Sequence, residues 1–321
     1  MSGGTEIPVR VTQITPIAER VKRFRFERLD GKPMPYFSGG AHVIVLMNDG
    51  GHMRRNAYSL MSPPHDCAAY EISVLHVEDS RGGSTFMHEK LSEGDELKVS
   101  YPVNLFQPDW RGRKHLLIAG GIGITPFIAM MEQFSREGAN FELHYAIRTR
   151  DRGAYWQQLV ERYGGHRIKI YCDAEGDAIP LTRLLGSQPL GTHLYVCGPS
   201  GMIDGVLKTG LDAGWPEQNL HSERFLSSLP GKPFAIELLR SGKTVKVGHH
   251  ESMLEAIEAA GVDAPFLCRG GACGQCETGV VTCDGKLLHH DVYLTSEEKA
   301  SGRKVMICVS RFEGNTLHLD L

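Results

Sequence analysis

The stretch CRGGACGQC, residues 268–276, decides how the C-terminal part of the chain is interpreted. Its cysteines, Cys268, Cys273 and Cys276, have the spacing C-x4-C-x2-C. This spacing is typical of a plant-type [2Fe-2S] site, whose fourth cysteine lies far downstream, and Cys308 in VMICVSR supplies one. The glycines between the cysteines permit left-handed backbone and bring amide N–H groups close to the sulfurs. We therefore predict these four cysteines as cluster ligands.

Two other interpretations of the cysteines are weaker. A structural zinc site usually pairs two short C-x2-4-C units or adds histidines, and here only His289 and His290 lie nearby. Cys283 is another candidate for the fourth ligand, but it follows the strand-like TGVVT and is expected to be a buried small residue.

Length and composition limit the classes of protein to consider. A chain of 321 residues predicts two or three domains. With 41% hydrophobic and 23% charged residues and a net charge of -3, it has the composition of a globular protein, and no nucleic-acid partner is expected. The N-terminal MSGGTEIPVRVTQ lacks a signal-peptide core, and no segment approaches the roughly 18 apolar residues of a membrane span. A cytoplasmic location without membrane contact is expected, where a disulfide framework is disfavoured.

The pattern along the chain changes three times. Residues 1–108 contain short alternating runs broken by glycine, proline or Asn-Asp-Gly, which predict a small antiparallel β-barrel. Residues 109–226 alternate strand-like and helix-like runs, which predict an α/β domain with a parallel sheet. Residues 227–232, within LSSLPGKP, form the predicted linker. Residues 233–321 then contain two strand-like runs, a short helix-like run and the cysteine loop.

AGGIGITP, residues 119–126, follows a strand-like run and precedes a helix-like one. Such a turn presents free N–H groups and the positive end of a helix to a pyrophosphate, although the same turn is common as an ordinary connection. Pro126 replaces the third glycine of the dinucleotide fingerprint and suits the first turn of a helix. The residues predicted to bind the cofactor are Gly120, Gly121, Gly123, Thr125 and Pro126.

A second nicotinamide motif is CGP, Cys197, Gly198 and Pro199, at the end of the strand-like THLYV. In a parallel sheet this is the carboxyl edge, where ligands bind. Arg148 and Thr149 end another strand, Asp173 follows the next, and these three are predicted on the adenosine side. The absence of a basic cluster there favours NADH over NADPH.

The motif SRGGST, residues 80–85, precedes the helix-like FMHEKL. Basic, hydroxyl and glycine residues at a helix start predict a phosphate cradle. No second adenosine site is evident nearby, so a short phosphate-terminated cofactor is favoured, which is FMN rather than FAD if the ligand is the flavin that the family resemblance implies. The predicted cradle residues are Arg81, Gly82, Gly83, Ser84 and Thr85.

Taken together, CRGGACGQC with ICVSR, GGIGITP with CGP, and SRGGST resemble the phthalate dioxygenase reductase family, the flavin reductases that supply electrons to Rieske-type oxygenases. The resemblance implies a multidomain fold: an antiparallel β-barrel flavin domain, an α/β parallel-sheet nicotinamide domain and an α+β, β-grasp plant-type ferredoxin domain. Within the family, FSGGAHVIVLMNDG, NAYSL and RGGSTF resemble the carnitine monooxygenase reductases most.

The resemblance also implies roles for single residues. NAYSL stands where the family has an R-x-Y-S/T motif, which places Tyr58 and Ser59 along the flavin ring. Asn56 occupies the position of the motif's arginine, and Arg55 is displaced by one residue. Cys197 would lie beside the nicotinamide. Phe225, in HSERF, would stack on the flavin, although packing under the linker explains it equally well. The predicted catalytic residues are Cys197, Phe225 and Ser59.

The order of the motifs implies a reaction. NADH gives up two electrons as a hydride, whereas an iron–sulfur cluster accepts one at a time, and a flavin can accept two and release them singly. We predict the reductase component of a two-component Rieske-type oxygenase, expected to be a monomer. The alternatives are a stand-alone NADH-dependent flavin/iron–sulfur reductase with another acceptor and a redox sensor, which need not retain GGIGITP and CGP.

Overall fold

The computed structural model describes residues 6–78 and 81–321, without the side chain of His52. In these residues the chain forms a six-stranded sheet, a five-stranded parallel sheet, a five-stranded mixed sheet and a two-stranded ribbon. They follow one another along the sequence in the predicted order.

The first sheet is antiparallel. Its strands are β1 (Glu6–Ala18), β2 (Val21–Arg28), β3 (His42–Asp49), β4 (His52–Ser59), β5 (Tyr70–Leu75) and β6 (Glu96–Ser100), in the order β4-β3-β6-β1-β2-β5. Side chains alternate between the two faces of a strand, and in β1 the residues Ile7, Val9 and Val11 are buried between exposed neighbours. This confirms the predicted antiparallel N-terminal fold.

The second sheet is parallel throughout. Its strands are β7 (Lys114–Gly120), β8 (Phe141–Ile147), β9 (Ile168–Cys172), β10 (Thr192–Cys197) and β11 (Leu220–Glu223), in the order β11-β10-β7-β8-β9. All of β10 is buried, as expected for a strand covered by helices on both faces. Because the strand order reverses between β7 and β10, their carboxyl ends mark the topological switch point of the sheet.

The third sheet mixes parallel and antiparallel pairs. Its strands are β12 (Phe234–Leu238), β13 (Lys243–Val247), β14 (Glu277–Cys283), β16 (Lys304–Met306) and β18 (Thr316–Leu319), in the order β13-β12-β18-β14-β16. β15 (Lys286–Leu288) pairs with β17 (Arg311–Glu313) as a separate ribbon. β12 runs parallel to β18, while β12–β13, β14–β18 and β14–β16 are antiparallel. The C-terminal fold is therefore of the α+β class.

The helices are α1 (Gly83–Thr85), α2 (Thr125–Glu137), α3 (Trp156–Tyr163), α4 (Leu181–Gly186), α5 (Ser200–Asp212), α6 (Met253–Ala259) and α7 (Ser296–Ser301). The predicted helix FMHEKL continues α1 as a π-helical turn, Phe86–Lys90. Ser252 and Glu255 form a capping box at the start of α6. No helix among the described residues is both long enough and apolar enough to cross a membrane.

The chain divides into two compact units. The first comprises Met1–Leu46, Tyr58–His76 and Met87–Arg224, and the second comprises Met47–Ala57, Val77–Phe86 and Phe225–Leu321. The second unit therefore combines the predicted ferredoxin segment with two short segments of the N-terminal 108 residues. The boundaries 1–108, 109–226, 227–232 and 233–321 stay predictions from the sequence pattern.

Each unit has its own apolar core. In the first, Phe127, Met130 and Phe134 of α2 are fully buried against the parallel sheet. In the second, Ile257 of α6 and Leu317 of β18 belong to one buried cluster. Burial of side chains of this size contributes roughly 1.5–3 kcal/mol each, so these contacts fix the elements from which the loops project.

Candidate functional site

The loop GGIGITP leads directly from β7 into α2. A 3₁₀ turn, Gly121–Ile124, follows the strand, and α2 carries a proline in its first turn. Gly121 has a φ of 54° and no heavy atom within 4 Å of the position of an added Cβ, so its left-handed backbone alone favours glycine there. The hydroxyl of Thr125 donates a hydrogen bond to the Ile122 carbonyl at 3.0 Å and closes the turn.

The loops GGIGITP and CGP meet backbone to backbone. A Cβ added to Gly123 would lie 2.3 Å from the carbonyl oxygen of Cys197. A Cβ on Gly120 would lie 2.8 Å from Pro199 Cδ, and one on Gly198 would lie 3.0 Å from Gly120 Cα. The two predicted nicotinamide motifs are therefore brought together at the switch point, and the close approach explains why three of their glycines cannot carry side chains.

Beside these loops, Cys197 and Glu223 lie opposite each other on the parallel strands β10 and β11. Cys197 is buried, and Glu223 is half-buried with its Oε2 atom enclosed. Burial raises the pKa of Cys197 well above its usual value, and the charge of Glu223 adds to the effect. Burial also raises the pKa of Glu223 to about 8, and its Oε2 has no hydrogen-bond partner among the described residues. Burial therefore favours the uncharged form of each group.

The predicted cluster ligands form two pairs in the second unit. The Cys276 and Cys308 sulfurs lie 3.1 Å apart, and Cys268 and Cys273 share a hydrogen bond. A two-iron cluster needs this arrangement, because each iron takes two thiolates. Among the described residues, no three His, Cys, Asp or Glu side chains converge as a single ion would require. The donor set therefore fits a [2Fe-2S] cluster better than one zinc ion.

Backbone amides act on the cluster loop as predicted from its glycines. The Gly270 N–H lies 3.3 Å from Cys268 Sγ. The hydrogen bond with Cys273, followed by those from the Ala272 and Gly270 amides, lowers the pKa of Cys268 against the opposing effect of burial, and the same pairing raises the pKa of Cys273. A lowered pKa favours the thiolate, which is the form that binds metal.

Cys283 and His289, the alternative ligand candidates, make other contacts in the structure. Cys283 was expected to be buried, but this is wrong: it is half-buried near the end of β14, and its sulfur contacts the Gly285 carbonyl at 3.6 Å. β14 is exposed along this stretch, which sequence alternation did not reveal. His289 Nδ1 lies 3.6 Å from Asp291 Oδ1.

The phosphate motif forms a left-handed turn into a helix. Gly82 has a φ of 98° and precedes α1, and its carbonyl accepts the Phe86 N–H at 2.9 Å. A Cβ on Gly83 would lie 2.3 Å from Nδ2 of Asn56, so Asn56 is packed on the cradle. Ser84 is buried, and its hydroxyl accepts the Val77 N–H at 3.2 Å. Ser80 of the motif lies outside the described residues.

The arginines around the cradle have different partners. Arg81 pairs with Glu255 of α6, and Arg55 Nη1 lies 3.4 Å from Glu258 of the same helix. Burial alone would raise the pKa of Glu255, but the charge of Arg81 and hydrogen bonds from Ser252 lower it overall. The carboxylate of Glu255 is therefore ionised and paired.

The comparisons with known proteins agree with this geometry. Residues 96–220 match the family described as "Dimethylamine monooxygenase subunit DmmA-like, N-terminal domain", and residues 236–313 match "2Fe-2S iron-sulfur cluster binding domain". The chain is 44% identical over 317 residues to the carnitine monooxygenase reductase subunit of Acinetobacter baumannii, covering 98% of this chain and 97% of that one. It is 42% identical to the heme-dependent oxidative N-demethylase beta subunit of Ectopseudomonas mendocina, covering 99% of both.

Among solved structures, phthalate dioxygenase reductase, described as a modular structure for electron transfer from pyridine nucleotides to [2Fe-2S], matches with a TM-score of 0.90. It is 32% identical and covers 98% of both chains. The chain belongs to the phthalate dioxygenase reductase family. The predicted resemblance and the fold class are thereby confirmed.

Membership of the phthalate dioxygenase reductase family also confirms the enzyme class and cofactors. The chain is an NAD(P)H-dependent oxidoreductase, a reductase component of the kind that serves oxygenase systems, and its cofactors are FMN, NADH and a [2Fe-2S] cluster. The residues that bind them stay predictions, which the geometry of each site supports to a different extent.

In this reductase the predicted adenosine-side residues lie at the ends of neighbouring strands. The Ala174 N–H, next to Asp173, donates to the Arg148 carbonyl at 3.1 Å and ties the two strand ends together. Arg148 itself is exposed. Arg150 forms two hydrogen bonds to Glu175, at 2.8 and 2.7 Å, which neutralise its charge.

The predicted flavin-ring residues fall in different units. Tyr58 and Ser59 belong to the first, where the Ser59 hydroxyl is buried without a hydrogen-bond partner among the described residues. Such an orphaned hydroxyl fits a polar ligand atom, because an unpaired buried hydroxyl is costly. Phe225 belongs to the second unit and is 49% exposed.

Two features of the site escaped sequence analysis. Glu223 was noted only as part of HSERF, although an acidic residue inside a strand-like run could have been flagged as a buried carboxyl. Arg54 was assigned no role, yet it donates a hydrogen bond to the Arg81 carbonyl and lies over Gly82. The sequence feature that could have drawn attention to Arg54 is Asn56, which stands where the family motif has an arginine.

Proposed function

We propose that the chain is the reductase component of a two-component Rieske-type oxygenase. It passes electrons from NADH through FMN and the [2Fe-2S] cluster to the oxygenase. The observation that carries this proposal is the pairing of the four cysteines as two ligand pairs, in a chain whose GGIGITP and CGP loops meet at a switch point. A cytoplasmic location and a monomeric state belong to the same proposal.

When bound, the cofactors supply hydride transfer, the storage of two electrons and their release one at a time. The protein's part begins with the nicotinamide. Gly121 and the N-terminus of α2 would hold the pyrophosphate, and Cys197, Gly198 and Pro199 would flank the ring. Because burial favours the uncharged forms of Cys197 and Glu223, the two side chains would limit the fixed charge beside either redox form of the nicotinamide.

The flavin ring would be held by Tyr58, Ser59 and Phe225. The orphaned Ser59 hydroxyl supports this role, because it is buried and has an unused capacity to donate a hydrogen bond. The phosphate of FMN would lie in the SRGGST cradle, where the side chains of Arg54 and Asn56 lie against Gly82 and Gly83. A phosphate-terminated flavin needs no further adenosine site.

For the cluster, we propose Cys268 and Cys273 as ligands of one iron and Cys276 and Cys308 as ligands of the other. The 3.1 Å separation of the Cys276 and Cys308 sulfurs supports the second pair. The N–H of Gly270 at Cys268 would continue to stabilise negative charge on the sulfur, and such hydrogen bonds tune the reduction potential.

The coenzyme is proposed to be NADH in preference to NADPH. A 2′-phosphate would need a cation on the adenosine side, where Arg150 is paired with Glu175 and the exposed Arg148 is the arginine that remains. The ratio of kcat/KM for NADH to that for NADPH measures this preference. A ratio above about ten, equivalent to about 1.4 kcal/mol, supports the proposal, and a ratio near or below one contradicts it.

A second candidate function has a specific observation in its favour. The chain matches a family described for dimethylamine monooxygenase, and one relative is the beta subunit of a heme-dependent oxidative N-demethylase. The electron acceptor would then be a heme protein rather than a Rieske-type oxygenase. The electron chain within the reductase is the same in both cases.

The experiment that separates the candidates offers the NADH-reduced protein two acceptors under anaerobic conditions. One is a Rieske-type oxygenase component, and the other is the heme-containing component of an N-demethylase. Rapid reduction of the Rieske component, which is monitored through its electron paramagnetic resonance signal, supports the main proposal. Rapid reduction of the heme alone supports the second candidate.

Reduction of neither acceptor, with steady NADH oxidation by artificial acceptors, indicates the stand-alone reductase. If NADH is not oxidised with any acceptor, the redox sensor is the remaining function. Each outcome therefore corresponds to one of the functions under consideration.

A further inference from the structure

We propose that Arg54 provides the positive charge that binds the phosphate of FMN, in place of the arginine missing from the motif at Asn56. The inference rests on the proposed role of SRGGST as the phosphate cradle. All of the groups involved belong to the second compact unit.

The cradle needs a cation that the motif does not supply. A phosphate monoester carries a charge of about -1.5 to -2 at pH 7. Asn56 occupies the position of the motif's arginine and packs on Gly83, but an amide group carries no charge. The compensating charge must therefore come from another side chain.

Two neighbouring arginines are already paired with carboxylates. Arg81 pairs with Glu255, and the side chains of both are largely buried. Arg55 lies 3.4 Å from Glu258, a carboxylate that Arg269 also contacts. Moving Arg81 onto a phosphate would leave the buried carboxylate of Glu255 without its partner, which is costly. Moving Arg55 would leave Glu258, which is half-buried, with Arg269 as its remaining partner.

Arg54 has a longer and more exposed carboxylate contact, 3.7 Å to Asp49, whose side chain is 23% exposed. A Cβ on Gly82 would lie 3.1 Å from Arg54 Cζ, so the guanidinium lies directly over the glycine of the cradle. One of its terminal nitrogens donates to the Arg81 carbonyl, which fixes it there. Its Nε is buried without a hydrogen-bond partner among the described residues, and the nearest Asp49 oxygen is 3.7 Å from that nitrogen.

Several cations lie in the same region as Arg54, together with the carboxylate of Asp49. Burial lowers the pKa of His250, and the charges of His249, Arg54, Arg311 and Arg81 lower it further. The guanidinium of Arg311 is bound by backbone carbonyl oxygens, those of Gly231, Lys232, Gly248 and Glu251. Cations concentrated in this way favour a multiply charged anion.

Comparison of FMN with riboflavin isolates the phosphate, because the two differ only there. The affinities of the flavin-free protein for both are measured by quenching of flavin fluorescence. We expect the wild type to prefer FMN. We expect R54Q to weaken FMN binding roughly ten- to a hundredfold, the range for a charged hydrogen bond, with riboflavin binding unchanged. R54K should keep part of the preference for FMN over riboflavin, because lysine retains the positive charge but lacks the two parallel N–H donors of the guanidinium group.

Two variants test the specificity of the effect. R10Q replaces an arginine that is exposed and paired with Glu96, and it should bind both flavins like the wild type. R55Q tests the rival arginine and should also keep the wild-type ratio of FMN to riboflavin affinity. Cluster absorbance in each variant reports whether the second unit is folded.

If R54Q keeps the wild-type ratio, or if R55Q loses the ratio instead, the assignment to Arg54 is wrong while the cradle stands. If the wild type binds riboflavin as tightly as FMN, the cradle itself is wrong. If R54Q fails to fold, the assignment to Arg54 is tested instead by R54K and by the competition of inorganic phosphate with FMN. Phosphate must compete with FMN in the wild type, and less effectively in R54K.

Discussion

The carbonyl oxygen of Cys197 lies so close to Gly123 that a Cβ on this glycine would approach it to 2.3 Å. This contact joins the two loops proposed to hold the nicotinamide, and both partners are backbone, which cannot move aside cheaply. The geometry of the coenzyme site therefore depends on a glycine whose own φ is not left-handed.

We expect Gly123→Ala to weaken NADH binding and to lower the free energy of unfolding by about 1–3 kcal/mol, the usual cost of overpacking. NADH affinity and urea-induced unfolding are the measurements. Gly205→Ala is the matched control, because nothing lies within 4 Å of its added Cβ inside α5, and it should be neutral or stabilising. Wild-type NADH affinity in Gly123→Ala would contradict the contact.

Cys308→Ser should abolish the cluster and leave the flavin bound, because it removes one thiolate of a pair in the second unit. Iron, acid-labile sulfide and extracted flavin are measured together on the same sample. Cys283→Ser should keep all three at wild-type amounts. The reverse result, with the cluster lost in Cys283→Ser and kept in Cys308→Ser, would replace the proposed ligand set.

The buried carboxyl of Glu223 makes stability depend on pH. Burial raises its pKa in the folded protein to about 8, from 4.5, so the folded state holds a proton that the unfolded state has already released between these values. The contribution of Glu223 to the free energy of unfolding is therefore fully present below about pH 4.5, and it is lost as the pH rises from there to about 8.

We expect Glu223→Gln to reduce this loss, since the amide cannot ionise. The thermal midpoints of wild type and variant are compared at pH 5 and pH 8. The variant should gain relative to the wild type at the higher pH. An identical pH dependence in the two proteins would show that Glu223 is not buried as described.

Arg311 is a buried cation whose hydrogen-bond acceptors are backbone carbonyl oxygens. Two of them, in residues 231–232, precede β12, and two, in residues 248–251, follow β13, so Arg311 ties both segments to β17. We expect Arg311→Lys to destabilise the protein by roughly 3 kcal/mol, because an ammonium group cannot reach this set of acceptors. Urea unfolding followed by cluster absorbance measures the effect. Arg240→Lys, at an exposed ion pair, should cost less than about 1 kcal/mol.

Much of the fold was predictable because its signals are local. The cysteine spacing, the glycine turns and the alternation of strand-like and helix-like runs each depend on residues within about one element. The classes of the first two sheets followed from these patterns, and the α+β class of the third was implied by the family resemblance that the motifs carried.

The remaining parts of the site depend on contacts across long distances in the sequence. Arg55 and Arg81 find their partners in α6, on Glu258 and Glu255, and no local pattern indicates this pairing. The pKa of Glu223 depends on its burial beside β10, which a sequence does not show. Cys283 was expected to be buried because TGVVT resembles a covered strand, but the structure leaves that stretch largely exposed.

The central claim is that electrons pass from NADH through FMN to a [2Fe-2S] cluster within this chain. The most direct test is the absorbance spectrum of the anaerobically purified protein before and after NADH, with iron, sulfide and released flavin quantified. The account predicts flavin and cluster bands that both bleach with NADH, with FMN as the released flavin. Zinc without sulfide, or cluster absorption that NADH leaves unchanged, would contradict it.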